Sequence, residues 1–281
     1  MEKIIKGKDV ALKIIKEISE LKKDIKTSKP TLAIIRVGEH GDDITYEKSI
    51  IKRFDQLEIE TRQEVLDLNT SLEQLLSVIE KLNNDSSVNG IIILRPLPNH
   101  IDEDIIAQAI NPLKDIDGMS HINIARLFLQ NEQAIVPCTP QSVMEILDYL
   151  GISLGGKDIT IVGAGMAVGR PLSVLLSNQR ATITICRSMT KDLVKECKEA
   201  DIVIAATGQA KLIKAEHIKD GAIVIDVGIN LDENNKLVGD VDFEQVVDKV
   251  KHITPVPGGV GSLTTYILAK QLYKAIILQE K

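Results

Sequence analysis

Tryptophan is absent from these 281 residues, and aromatic side chains make up only 2% of them. A core must therefore be built from aliphatic chains, and a platform for stacking successive nucleic-acid bases is not expected. Cysteine is sparse as well. Cys138, Cys186 and Cys197 form no CxxC pair and no zinc-ligand spacing, and an odd count gives no disulfide framework. They read as small buried residues in a reducing compartment. The five histidines, His40, His100, His121, His217 and His252, lack metal-ligand spacing too, so no metal is expected. A basic excess is missing: the net charge is -6, with acids and bases interspersed, which removes nucleic acid as a partner. No apolar run approaches the ~18 residues of a membrane span. The N-terminus has no signal-peptide h-region, so no membrane role is expected and the cytoplasm is the default compartment.

What is present is an ordinary globular composition, 44% hydrophobic and 26% charged, in a chain long enough for two domains. Ala11, Ile14, Ile15, Ile18 and Leu21 fall at helical spacing, and the run from Leu32 to Val37 is strand-like and ends at Gly38. Residues 46–57 read as a helix and 59–66 as a strand. Leu72, Leu75, Leu76, Ile79 and Leu82 form a helical stripe, and 88–94 reads as a buried strand closed by Pro96-Leu97-Pro98. This β-α-β-α-β order predicts a parallel sheet with helices on its faces. A helix is predicted to start at Pro137-Cys138-Thr139-Pro140, with Thr139 as N-cap and Pro140 in the first helical position, and to stop at Gly151. The domain boundary falls near this point. A second βα series follows, with strands at 159–162, 181–186, 202–205 and 222–227, and the chain closes with a helical pattern over 263–278.

The segment Gly163-Ala164-Gly165-Met166-Ala167-Val168-Gly169 follows one of these strands and opens a helix, the setting a dinucleotide-binding turn requires. Gly163 permits the tight turn and Gly165 lets backbone approach a cofactor, while the helix N-terminus offers N–H groups to phosphate. The spacing is GxGxxxG, one residue longer than the usual fingerprint. The following strand ends in Arg187-Ser188 where an NAD site usually carries an acid for the ribose 2′-hydroxyl. A cation and a hydroxyl favour NADP and leave NAD open, and Arg187 is otherwise a solvated surface residue.

Val256-Pro257-Gly258-Gly259-Val260-Gly261, preceded by Thr254-Pro255, resembles the PVPGGVG signature of the methylenetetrahydrofolate dehydrogenase/cyclohydrolase family. Lys114-Asp115-Ile116-Asp117-Gly118 resembles its KDVDG motif, and Pro137–Pro140 its PCTP. Val168-Gly169-Arg170-Pro171, Asp226-Val227-Gly228-Ile229-Asn230 and Gly239-Asp240-Val241 match as well, so the similarity runs along nearly the whole chain. The resemblance implies an α/β fold of two domains flanking a cleft. The first, residues 1–138, is a three-layer α/β folate domain to which a C-terminal helix, 263–281, returns. The second, residues 139–262, is a Rossmann-like NAD(P) domain. It also implies a homodimer acting on tetrahydrofolate substrates. Tyr46, Asp117, Pro257, Gly258, Gly259 and Val260 would then face the substrate, and Gly163, Ala164, Gly165, Gly169, Arg187, Ser188 and Ile229 the cofactor.

The resemblance breaks at two positions. The family helix reads Y-V-x-x-K-x-K, and here Tyr46 and Lys52 match while the first, catalytic lysine falls on Ile50. The family V-Q-L-P-L-P becomes Ile93-Leu94-Arg95-Pro96-Leu97-Pro98, so the glutamine that partners the lysine is Leu94. Lys48 cannot stand in by a slip of register, because it lies about 200° round the helix from Tyr46. Smaller departures follow. Gln141-Ser142 replaces Lys-Gly, Ser262-Leu263 replaces Pro-Met, Ala164-Gly165 replaces a frequent Arg-Ser, and Arg187 replaces a common histidine. Hydride transfer needs chiefly positioning, whereas hydrolysis of the methenyl product needs acid–base groups. The reading is therefore a dehydrogenase, with Tyr46 and Asp117 in its catalytic half, that has lost cyclohydrolase activity. The alternatives are a bifunctional enzyme using Lys48 or Lys52 for water chemistry, and a non-catalytic folate- or nucleotide-binding paralogue.

Overall fold

Runs of β-branched residues become parallel strands in the computed structural model, which describes residues 3–281. The chain begins with α1 (Gly7–Leu21), β1 (Thr31–Val37), α2 (Gly41–Gln56), β2 (Glu60–Leu66), α3 (Leu72–Asn84), β3 (Gly90–Ile93), α4 (Glu103–Ala109) and α5 (His121–Phe128). The three strands form one parallel sheet in the order β2-β1-β3, with Ile35 opposite Glu64 on one side and Ile93 on the other. Ala33, Ile35, Val37, Ile91 and Ile93 meet Leu75, Ile79 and Leu82 of α3 and Ile106 and Ala107 of α4 in a single core. Leu32 and Ile34, whose side chains alternate to the opposite face, are also fully buried, as expected for a parallel sheet covered on both faces. Ser71 caps α3 in a reciprocal capping box with Gln74.

Helix α2 starts earlier than its apolar pattern predicts. Asp42 and Asp43 lie in its first turn, where acidic side chains complement the helix dipole, so the helix begins at Gly41, ahead of Tyr46.

The second series comprises α6 (Cys138–Tyr149), β4 (Asp158–Val162), α7 (Gly169–Asn178), β5 (Thr182–Cys186), α8 (Leu193–Lys198), β6 (Ile202–Ala205), β7 (Ile223–Asp226), β8 (Asn230–Leu231), β9 (Leu237–Val238), α9 (Phe243–Val246) and β10 (His252–Ile253). A parallel sheet of order β10-β7-β6-β4-β5 results, and β8 pairs antiparallel with β9. The chain leaves β4 for β5 on one side and returns to β6 on the other, so the strand order reverses at β4, the kind of point where doubly wound sheets bind ligands. Thr139 is not the N-cap of α6: the helix already includes Cys138, and Thr139 and Pro140 lie inside its first turn. Proline is tolerated there because first-turn N–H groups have no intrahelical acceptor.

The chain divides into two compact units. One contains Ile14–Cys138 with Thr265–Lys281; the other contains the chain up to Lys13 with Thr139–Thr264. This grouping differs from a first domain running over 1–138. Ile4 bridges Ile253 in parallel, Ile5 N–H donates to Ile253 O at 2.8 Å and Ile253 N–H to Lys3 O at 2.9 Å. The residues ahead of α1 thus extend the sheet at β10. The last helix, α10 (Thr264–Gln279), belongs to the unit of the three-stranded sheet. There Gln271 Nε2 donates to Val136 O at 2.6 Å, and Gln279 Nε2 donates to Asn89 O and Leu113 O at 2.8 Å. No helix among the described residues is long and apolar enough to cross a membrane.

Candidate active site

The segment Lys114–Gly118 runs beside β3, where Asp115 bridges Ile91 in parallel. Its three polar side chains have separate tasks. Lys114 Nζ donates to the carbonyls of Leu82 and Asp85 at 3.0 and 2.7 Å, tying the end of α3 to the segment. Asp115 is fully buried and accepts the N–H groups of Met119 and Ser120 at 3.0 and 2.8 Å and Asn123 Nδ2 at 2.9 Å. Both are consumed by structure. Asp117 is not: its Oδ1 accepts Cys138 N–H at 3.5 Å, and its Oδ2 lies 3.7 Å from Arg95 Nη2. Burial raises its pKa above the usual carboxylate range while the Arg95 guanidinium opposes that shift. Gly118 adopts φ +65°, and a Cβ there would stand 2.6 Å from Ile135 O, so backbone approach fixes glycine and the turn that presents Asp117.

Tyr46 lies on α2 half-buried, four residues before Ile50. The helix buries Asp43, Glu47, Ile50 and Phe54, a stripe at i, i+4, i+7 and i+11. Ile50 is 0% exposed and Leu94 is 4% exposed. Leu94 continues the line of β3, its N–H donating to Ile35 O at 2.9 Å. Lys48 and Lys52 are exposed and line a different groove, between α2 and β2, with Ile51, Asp55, Glu58, Ile59, Glu60 and Thr61. One turn from Ile50 a charged pair is buried: Arg36 Nε donates to Glu47 Oε2 at 2.7 Å, and Arg36 Nη1 donates to Gly38 O. Neither Arg36–Glu47 nor Arg95 was singled out by sequence reading. Arg95 had a signal, since it stands in the proline motif beside Leu94, but Arg36 reads as one polar position in an apolar strand.

In the other unit, Gly163 leaves β4 at φ +115°, and a Cβ there would collide with the carbonyl of Ala206 just after β6. A Cβ on Gly169 would collide in turn with the Gly163 carbonyl, so the loop is wound tightly at the strand-order reversal. Gly165 differs: a Cβ there would meet no protein atom within 4 Å. Internal packing does not require glycine at 165, whereas close approach by a ligand would. Arg170 drapes over the turn, its Nε donating to Ala164 O at 3.2 Å. Arg187 and Ser188 are exposed at the end of β5, the Arg187 N–H held by Thr190 Oγ1 at 2.8 Å.

The loop after β7 is pinned by two buried acids. Asp226 accepts the N–H groups of Gly228, Asp240 and Val241 at 3.0, 3.0 and 2.9 Å. Asp240 accepts Thr207 and Gly208 N–H at 2.5 and 3.1 Å and Asn230 Nδ2 at 2.9 Å. Burial pushes Asp226 up to about 6 against these donors. The result is a rigid loop that holds Ile229 outward, 66% exposed. Residues 256–261 lie in the same unit. Gly258 O accepts Gly7 N–H at 2.8 Å, Pro257 and Gly258 are exposed, and Gly259 and Val260 are buried. Among the described residues, no group of three or more His, Cys, Asp or Glu could hold a metal ion.

Comparison with known proteins matches residues 5–117 to the catalytic domain of tetrahydrofolate dehydrogenase/cyclohydrolase and residues 137–280 to the NAD(P)-binding domain of the same enzymes. Bifunctional protein FolD of Clostridium botulinum (strain Okra / Type B1) is 49% identical over 278 residues, covering 98% of each chain. The structure of the bifunctional enzyme FolD from Campylobacter jejuni is 40% identical with a TM-score of 0.91, covering 97% of this chain and 96% of that one. The FolD of Trypanosoma brucei, solved with NADP cofactor and inhibitor, is 32% identical with a TM-score of 0.91, covering 99% of this chain and 98% of that one.

Proposed function

The chain belongs to the tetrahydrofolate dehydrogenase/cyclohydrolase family, and from that premise we propose that it oxidises 5,10-methylenetetrahydrofolate to the methenyl form with NADP and does not hydrolyse the product. Asp117, whose partners Cys138 N–H and Arg95 stand at 3.5 and 3.7 Å, accepts N–H donors of the pterin, and Tyr46 lines the same substrate surface. Residues 257–260, within their own unit, keep the substrate role that the family signature implies. The turn 163–169, Arg187, Ser188 and Ile229 hold the nucleotide. The open side of Gly165 fits close backbone approach to a pyrophosphate, and Arg187 with Ser188 suits a 2′-phosphate. When bound, the nicotinamide supplies the hydride acceptor. The folate nitrogen lone pair supplies the push as hydride leaves the methylene carbon, so the chain has only to hold and orient its substrates.

The hydrolytic half rests on one observation. Ile50 and Leu94 are buried aliphatics at the two positions where the family keeps a lysine and its amide partner, and Lys48 and Lys52 line another groove. An aliphatic pair neither donates nor accepts a proton. The guanidinium of Arg95, beside Leu94, carries hydrogen-bond donors and no acceptor, so it supplies no base for the water. Loss of general acid–base help removes roughly 10²–10⁴-fold of rate. The test is one cuvette containing purified protein, NADP and methylenetetrahydrofolate. NADPH should form while methenyl absorbance accumulates and then decays at the rate of buffer alone. Decay at enzymatic rates would make this chain bifunctional, as its relatives are named. Absence of NADPH formation with either NADP or NAD would remove the dehydrogenase reading.

A further inference from the structure

Arg95 stands at the end of the β3 line, next to the lost glutamine position, with its guanidinium between two acids. Nη2 lies 3.7 Å from Asp117 Oδ2 and Nη1 lies 4.0 Å from Glu103 Oε2. Glu103 is itself tethered to the turn, since its Oε1 accepts Leu97 N–H at 2.9 Å. Two further groups face Asp117. Asp115 is a second buried acid whose charge opposes another nearby, and Cys138 is a buried thiol held protonated, which donates to the Asp117 carboxylate along with its backbone N–H. Of these groups only Arg95 is positive.

A pterin presents N–H donors, and a protonated carboxyl would set its own O–H against one of them. The acceptor must therefore be ionised, in a place where burial and Asp115 both disfavour ionisation. We infer that Arg95 is a positioning residue of the folate site: its guanidinium keeps the Asp117 carboxylate charged and turned to accept from the pterin. This rests on the reading that Asp117 binds folate. It extends that reading to a residue outside the motif match, and it gives the cation an electrostatic task distinct from water activation.

Two measurements on the full-length protein test it. With 13C-carboxyl aspartate incorporated, the Asp117 signal is identified by its disappearance in D117N and titrated without any ligand. In R95L it should titrate at higher pH than in wild type, and R95K should stay close to wild type. In steady-state dehydrogenase assays R95L should raise the folate Michaelis constant roughly ten-fold or more at pH 6, the scale of one charge-assisted hydrogen bond. The defect should shrink by pH 8, with kcat at saturation little changed and R95K largely restoring the wild-type profile. Arg95 is partly exposed, so R95L should melt within a few degrees of wild type. An unmoved Asp117 titration, or a loss equal at every pH, overturns the inference while leaving the folate reading in place. D117N matching wild type in folate affinity and turnover overturns the folate reading itself, and the positioning role with it.

Discussion

Arg36 Nε donates to Glu47 Oε2 across 2.7 Å, and both side chains are nearly withdrawn from water. The pair joins the end of β1 to the face of α2 that carries Ile50. Asp43 lies one turn earlier on that face, and burial raises its pKa above the ordinary carboxylate range. Removing one member of a buried pair leaves the other charged and unpaired. Glu47→Ala should therefore lower stability by about 3–5 kcal/mol in urea unfolding, whereas Arg36→Leu with Glu47→Ala should recover most of that loss. If the double variant is as weak as the single one, the two residues contribute packing rather than pairing.

Restoring the family's polar pair tests the hydrolytic half of the proposal. Ile50→Lys combined with Leu94→Gln should raise methenyltetrahydrofolate decay above buffer, because the amide gives the buried lysine a partner. Each change alone should do little, since a lone buried polar group lacks its partner. Decay of the methenyl absorbance is the readout. Hydrolysis that stays at the buffer rate in a folded double variant would show that these two positions do not limit the reaction.

Cofactor choice should depend on Arg187. It is exposed at the end of β5, where the neighbouring hydroxyl of Ser188 can share a 2′-phosphate. Arg187→Ala should raise the Michaelis constant for NADP several-fold more than that for NAD, by the loss of one charge-assisted contact. Equal responses of the two constants would place the 2′-phosphate away from Arg187.

The Asp226 loop predicts a pH dependence of stability. Its folded-state pKa is pushed up to about 6 from the ordinary 3.8, so between those values the folded chain holds a proton that the unfolded chain releases. The contribution is present in full below the lower value and fades as pH rises through the upper one. Thermal melts should therefore show a falling component from about pH 4 to pH 6 that Asp226→Asn removes. That variant should also melt lower throughout, because an amide cannot accept all three N–H groups that now converge on the carboxylate. A pH profile unchanged by the substitution would show that Asp226 stays ionised across this range.

Much of the fold was legible in local pattern. The stripe Leu75, Ile79 and Leu82 and the apolar runs at β1, β3, β4 and β6 carry their periodicity within a few residues, and Gly151, at φ +64°, ends α6 where expected. Candidate site residues were legible by motif at Asp117 and in the 163–169 turn, where Gly163 and Gly169 pack against backbone that a Cβ would strike. Helices α4 and α5 were not anticipated. Their caps, Asp102 and Ser120, are short-range signals, but each helix spans only about two turns and presents too few apolar positions to stand out.

The amino-acid order by itself determined most of the strands and the longer helices and where the backbone must turn. Those properties follow from each residue's own backbone preference and its neighbours within a turn or a pleat. The tertiary structure alone decided that residues 3–5 extend the sheet at β10, that Arg36 meets Glu47, and that Arg95 faces Asp117, which follows it by 22 positions in the chain. Such pairings depend on which strand ends the parallel topology brings side by side. In a place shielded from water, the partner met there settles whether a charge is a cost or a stabilising contact.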